Sequence, residues 1–136
     1  NSSSPSYNGS GEEWILYCIH SVAGYSKIGT YTWTAASNTA GAMVSGLGFT
    51  PRFVMIKAIT ENSNWNIYDS TRGATSGTNQ RYRLAANANS AQVTSGLEGI
   101  GFDSNGFSAI VGADGNTTGI AGLNKNGETY LYYAIA

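Results

Sequence analysis

The sequence predicts an all-β fold, an antiparallel β-sandwich or jelly roll of about eight strands with long Gly, Asn, Ser and Thr loops and little helix. Three observations carry that expectation. Strand-sized apolar stretches alternate with period two, small polar residues and 18 Gly separate them, and no apolar pattern at i, i+3, i+4 persists anywhere in the chain.

The elements follow in order. Residues 1–12 are Ser, Gly, Asn and Pro with one Tyr and then Glu12, and read as a leader or linker. Residues 13–136 then read as a single β-sandwich domain, a length that buries one respectable core. Residues 13–21 run from alternating to apolar and suit a buried strand, which makes Cys18 a small buried hydrophobe. Gly24 marks a turn. Residues 25–33 resume the period of two, with Tyr25, Lys27, Gly29, Tyr31 and Trp33 on one side and Ser26, Ile28, Thr30 and Thr32 on the other. From 34 to 48 the composition is that of a long loop holding one short strand.

Pro51 has a fixed φ and no N–H, so it belongs at the start of a strand rather than inside one. After it, Phe53, Met55 and Lys57 point one way and Arg52, Val54, Ile56 and Ala58 the other, with Phe53, Met55 and Trp65 taken as core. A polar loop leads to a second strand at 65–68, and residues 73–79 form a flexible connection. Residues 82–86 form a strand or a single helical turn. Residues 100–102 and 106–111 flank Asp103-Ser-Asn-Gly106, whose Asn-Gly step favours a tight hairpin turn. A loop at 114–119 and a turn at 124–127 lead into a last strand at 128–136.

Composition limits the function classes. Charged residues are 11% of the chain and the net charge is -1, so there is no basic field to hold a nucleic-acid backbone. The longest apolar runs fall far short of the ~20 residues that a membrane-spanning helix needs. A single Cys excludes an internal disulfide, and one His with one Cys leaves no set of ligands for a transition metal. No cofactor is expected. Asp103-Ser-Asn-Gly106 and the loop at Asp114 superficially suggest calcium loops, but each offers one carboxylate to an ion that takes six to eight oxygens.

Four residues are candidates for ligand binding: Trp33, Trp65, Tyr68 and Asp69. An aromatic face stacks on a sugar ring and a carboxylate accepts hydroxyl protons, which together make a groove for carbohydrate. Asp69 has a competing structural use, pairing with Arg72 to pin the corner that follows the second strand. His20 stands beside Ser21, but adjacency in sequence does not make a catalytic triad. The six carboxylates at Glu61, Asp69, Glu98, Asp103, Asp114 and Glu128 have no spacing that reports a hydrolytic pair, and no enzyme is expected. Tyr25, Tyr31, Trp33, Tyr130 and Tyr132 alternate with small polar residues and are expected to form an exposed aromatic stripe, an interface for other copies of the chain.

Ordered blocks across nearly the whole chain carry a family likeness. They comprise Trp14-Ile-Leu-Tyr-Cys-Ile-His-Ser-Val-Ala-Gly24 continuing to Trp33, Gly48-Phe-Thr-Pro-Arg-Phe-Val-Met-Ile-Lys57, Trp65 with Ile67, Tyr68, Asp69 and Arg72, Leu84 with Ala86 and Asn87, Phe102 with Asn105, Gly106 and Phe107, and Asn126-Gly-Glu-Thr-Tyr130. Together they resemble a domain of unknown function that recurs in structural proteins of tailed bacteriophages. Between Trp33 and Gly46, where relatives tend to carry a Gly-Asn-Gly type turn and an aromatic strand, this chain has Ala35-Ala-Ser-Asn-Thr-Ala-Gly-Ala-Met43.

The resemblance implies a non-enzymatic domain on the virion surface, in a tail fibre or appendage that adheres to host-surface glycan and assembles with neighbouring virion proteins as a homo-oligomer. The alternatives it leaves are a capsid-decorating or stabilising protein and the carbohydrate-binding module of a depolymerase. It implies no nucleic-acid partner and no membrane insertion.

Overall fold

The computed structural model describes residues 13, 15–35, 40–72, 74–76, 79–80, 82–93, 99–110 and 123–136. Among them are ten strands and no helix: β1 (Ser26–Thr32), β2 (Gly41–Ser45), β3 (Phe53–Ala58), β4 (Asn66–Asp69), β5 (Ala74–Ser76), β6 (Asn79–Gln80), β7 (Leu84–Ala85), β8 (Gly99–Asp103), β9 (Gly106–Ile110) and β10 (Thr129–Ile135). They form two antiparallel sheets, one ordered β1-β10-β3-β4-β7 and the other β2-β9-β8-β6-β5. Only β3–β4, β5–β6 and β8–β9 are consecutive strands paired in one sheet; every other connection crosses to the opposite sheet. The fold is the expected all-β sandwich, and three of its strands, β5, β6 and β7, are only two or three residues long.

Each sheet turns one side of its alternation inward, and side chains from both meet in a single core. The first sheet contributes Tyr31, Val54, Ile56, Ala58, Tyr68, Tyr130, Tyr132 and Ala134, and the second Met43, Ile100, Phe102, Phe107 and Ala109. The contact between sheets is aromatic. Phe107 of β9 meets Tyr31 edge-on at 6.2 Å between ring centroids and Tyr132 at 5.4 Å, while Tyr31 stacks on Tyr130 at 4.9 Å. Such pairs add about 0.5–1.5 kcal/mol each beyond the area they bury.

Glycine placement makes room for these rings. Gly29 pairs with Tyr132 across the β1–β10 ladder, and a Cβ on Gly29 would stand 2.7 Å from the Tyr132 hydroxyl, so the ring lies over the bare backbone. At Gly106 a Cβ would fall 2.0 Å from the Val44 carbonyl oxygen, which fixes the close approach of β9 to β2. The turn of the β8–β9 hairpin is Ser104-Asn105, with Asp103 opposite Gly106 and Phe102 opposite Phe107. The expected hairpin is therefore present, with its glycine in the strand, where absence of a side chain is what the packing requires.

Several expectations are corrected. No strand forms over the described residues of 13–21; Ile15, Leu16 and Tyr17 are at least four-fifths exposed, and Cys18 is exposed instead of buried. The alternation in β3 is as expected, but its core side is Val54, Ile56 and Ala58, while Phe53 and Met55 are half-buried on the outer face, as is Trp65 just before β4. The aromatic stripe is not an exposed interface. Tyr31, Trp33, Tyr130 and Tyr132 are buried, and of the five only Tyr25 is exposed. The connection at 73–79 contains strand β5 and the start of β6. Residues 82–86 hold strand β7. Trp14, Glu98, and the loop at 114–119 with Asp114 lie outside the described residues.

Candidate functional site

The four candidate ligand residues divide between the two faces of the first sheet. Tyr68 points into the core and is 1% exposed. Trp33, just past the end of β1, is 4% exposed, and its indole packs on the bare backbone of Gly41, where a Cβ would lie 3.1 Å from the ring. Neither ring offers a face to a ligand. Trp65 and Asp69 are partly exposed on the opposite face, but they sit at the two ends of β4, about 13 Å apart at the rise of an extended strand. The sandwich does not gather these four residues into one groove.

Asp69 closes the corner after β4. Its Oδ1 accepts the backbone N–H of Thr71 at 3.0 Å and of Arg72 at 2.8 Å, and its Oδ2 pairs with the Arg72 Nε. Arg72 also donates from Nη1 to Gln92 Oε1 at 3.2 Å, and the Ser70 N–H bonds to the Arg52 carbonyl at 2.8 Å, so the corner is fastened to β3 and to the segment after β7. Partial burial raises the Asp69 pKa, but the Arg72 and Thr71 hydrogen bonds and the Arg72 charge outweigh it and hold the carboxyl below its ordinary value of 3.8. This geometry assigns Asp69 and Arg72 to the structural pin.

Trp65 has different neighbours. Its backbone N–H donates to Asn87 Oδ1 at 2.8 Å, its carbonyl accepts the Ala86 N–H at 2.9 Å, and the Asn87 Nδ2 donates to Asn64 Oδ1 at 3.2 Å. The backbone of the partly exposed Trp65 is thus pinned beside two exposed primary amides, at the end of the sandwich formed by the β3–β4 and β7 loops. Aromatic face and neutral amide donors and acceptors are the groups that recognise sugar rings and hydroxyls.

The same end of the sandwich carries a polar network that the sequence did not reveal. The Lys57 Nζ donates to the carbonyls of Ala58 and Glu61 at 2.9 and 3.2 Å, folding the β3–β4 loop back on its strand. Glu61 pairs with Lys125, and both Glu128 oxygens accept from Thr60, Oε1 from its N–H at 3.0 Å and Oε2 from its hydroxyl at 2.6 Å. The Thr60 hydroxyl, then its N–H, lower the Glu128 pKa against slight desolvation. These partners are 64 and 68 positions apart, so no local spacing announces them.

His20 is exposed, and its Nδ1 lies 3.1 Å from the Ser21 carbonyl oxygen. Among the described residues no three of His, Cys, Asp and Glu gather into a group able to hold a metal ion, and no helix is long and apolar enough to cross a membrane.

No curated protein and no solved structure matches the chain. A family model does match it, over residues 2–136, and on that match the chain belongs to the family described as a domain of unknown function, DUF7483.

Proposed function

We propose that the chain is a non-enzymatic surface domain of a tailed-phage particle, placed in a tail fibre or appendage, that adheres to host-surface glycan. The observation that carries this reading is a partly exposed tryptophan, Trp65, whose backbone Asn87 pins beside the Asn64 amide at one end of the sandwich. Support also comes from the low charge of the chain, which suits contacts made by neutral hydrogen bonds and stacking, insensitive to salt. The carboxylates at Glu61, Asp69 and Glu128 are each engaged in a structural contact, which fits adhesion better than hydrolysis. Weak single-site binding is multiplied when copies are arrayed on one particle.

Retention on immobilised host-surface polysaccharide tests the proposal. The wild-type chain is retained, and Trp65→Ala, which leaves the backbone bonds of residue 65 in place, loses roughly three- to tenfold in affinity, in the range of one lost stacking contact. Failure of the wild-type chain to bind any host polysaccharide would sink it.

A second reading, a capsid-decorating or stabilising protein, is favoured by the apolar segment at 15–19, which suits burial against a neighbouring subunit. Antibody labelling of the intact particle separates the two, since one places the domain on the tail and the other on the capsid.

A further inference from the structure

The outer face of the first sheet carries a row of large apolar side chains that runs straight across all five strands. Register sets Ile28 opposite Tyr133, Tyr133 opposite Met55, Met55 opposite Ile67 and Ile67 opposite Leu84. All five are partly exposed. Five strands at their usual spacing make this row about 19 Å long.

Beside the row's β1 end, the chain presents an apolar segment that is left exposed among the described residues. Ile15, Leu16 and Tyr17 are 80%, 84% and 82% exposed, and Ile19 is 43% exposed. The segment enters β1 through a fixed turn: the Val22 carbonyl accepts the N–H groups of Tyr25 and Ser26, the Ser26 hydroxyl donates to the His20 carbonyl, and Ser21 Oγ accepts the Ile28 N–H. Residues 20–22 are therefore anchored at the free edge of β1, while residues 15–19 stand away from it. Extended, those five residues span about 17 Å, close to the length of the row.

We infer that residues 15–19 are an exchange arm that packs on the outer apolar row of a second copy of this chain. The arm is apolar on both sides of its alternation, with Ile15, Tyr17 and Ile19 on one side and Leu16 and Cys18 on the other. Folding it back on its own sheet would cover one side and leave the other in water, whereas two copies facing each other through their arms cover both. The areas are compatible. Four large side chains at these exposures carry roughly 500 Å² of surface per arm, and with the partly exposed row that each arm covers, a reciprocal dimer approaches the roughly 800 Å² per partner of a standard interface. This association does not depend on the glycan reading, and loss of sugar binding leaves it intact.

Sedimentation of the whole chain from about 1 to about 100 µM tests the inference. Maleimide labelling of Cys18, the chain's one thiol, reports the state of the arm directly. The wild-type chain is expected to associate across that range, and labelling to slow at least about tenfold in step with association. Leu16→Asp combined with Tyr17→Asp, outside every ladder, is expected to stay monomeric with rapid labelling and to keep the melting temperature of the dilute, monomeric wild type. Ile28→Glu, on the receiving row, is expected to weaken association while leaving Cys18 reactive. A wild-type monomer at the highest concentration would overturn the inference, as would association undiminished in the arm variant. Cys18 protected within a monomer would also overturn it, because the arm would then close on its own sheet.

Discussion

The Tyr31 hydroxyl donates a 2.8 Å hydrogen bond to the backbone carbonyl of Leu123, with both residues buried and 92 positions apart in sequence. The bond ties β1 to the loop that leads into β10, while the Tyr31 ring stacks on Tyr130 and meets Phe107 of the opposite sheet. Removing the hydroxyl leaves the ring contacts and strands a buried carbonyl. Tyr31→Phe is therefore expected to cost about 1–2 kcal/mol in urea denaturation with an unchanged slope. A neutral result would mean that water reaches the Leu123 carbonyl.

Burial pushes the pKa of Tyr31 far up, with the neighbouring Tyr130 and Tyr68 adding to the effect, and burial raises Tyr130 and Tyr132 as well. A folded pKa above the unfolded one means stability that is complete below the unfolded value and is lost as the pH climbs above it. The expected behaviour is a melting temperature insensitive to these groups up to about pH 10 and a steep fall beyond it. Phenolate absorbance from the buried rings is expected to appear together with loss of the β-sheet circular dichroism signal. Ionisation of all three in the still-folded protein would contradict the burial.

The Asp69 corner has the opposite sign. Its carboxyl is held below 3.8, so its charge stabilises the fold above that value, and the contribution is lost as the pH falls through the lower folded value. Asp69→Asn is expected to cost about 1 kcal/mol near neutral pH, a modest figure because solvent screens the pair. The difference from wild type is expected to close as the pH drops below about 4. A gap that persists undiminished at the lowest pH would show that the side chain acts through shape and not charge.

Gly106 admits no side chain. Its would-be Cβ lies 2.0 Å from the Val44 carbonyl oxygen, and the obstruction is backbone, which cannot swing aside. Gly106→Ala is expected to cost at least about 3 kcal/mol, at the upper end of overpacking, and to show as a lowered melting temperature or as loss of soluble protein. Gly24→Ala, by contrast, meets no atom and carries only the strain of a positive φ, so it is expected to cost about 1 kcal/mol.

Much of the fold was legible from local chemistry. The alternation over β1 and β3, the loop with one short strand before Pro51, and the hairpin at Asp103-Ser-Asn-Gly106 all follow from side-chain periodicity and turn residues, which act over a few positions. Asp69 and Arg72 were legible as a pair for the same reason, since three positions separate them. The surroundings of Trp65 were not, because Asn87 reaches it from 22 positions away.

The sequence by itself determined that this is an all-β chain with two-faced strands, and only the tertiary structure decided which face is inside. A period of two divides β3 into Phe53 with Met55 and Val54 with Ile56 and Ala58, both apolar, and does not rank them. The choice is made by what the opposite sheet can receive. Strands β8 and β9 turn Ile100, Phe102, Phe107 and Ala109 inward, and Phe107 meets the rings of Tyr31 and Tyr132 edge-on from across the sandwich. Once those rings are inside, register carries Val54, Ile56 and Ala58 in beside them and leaves Phe53, Met55 and Tyr133 on the outer face. Close packing is a property of two surfaces together, and one strand's sequence describes only one of them.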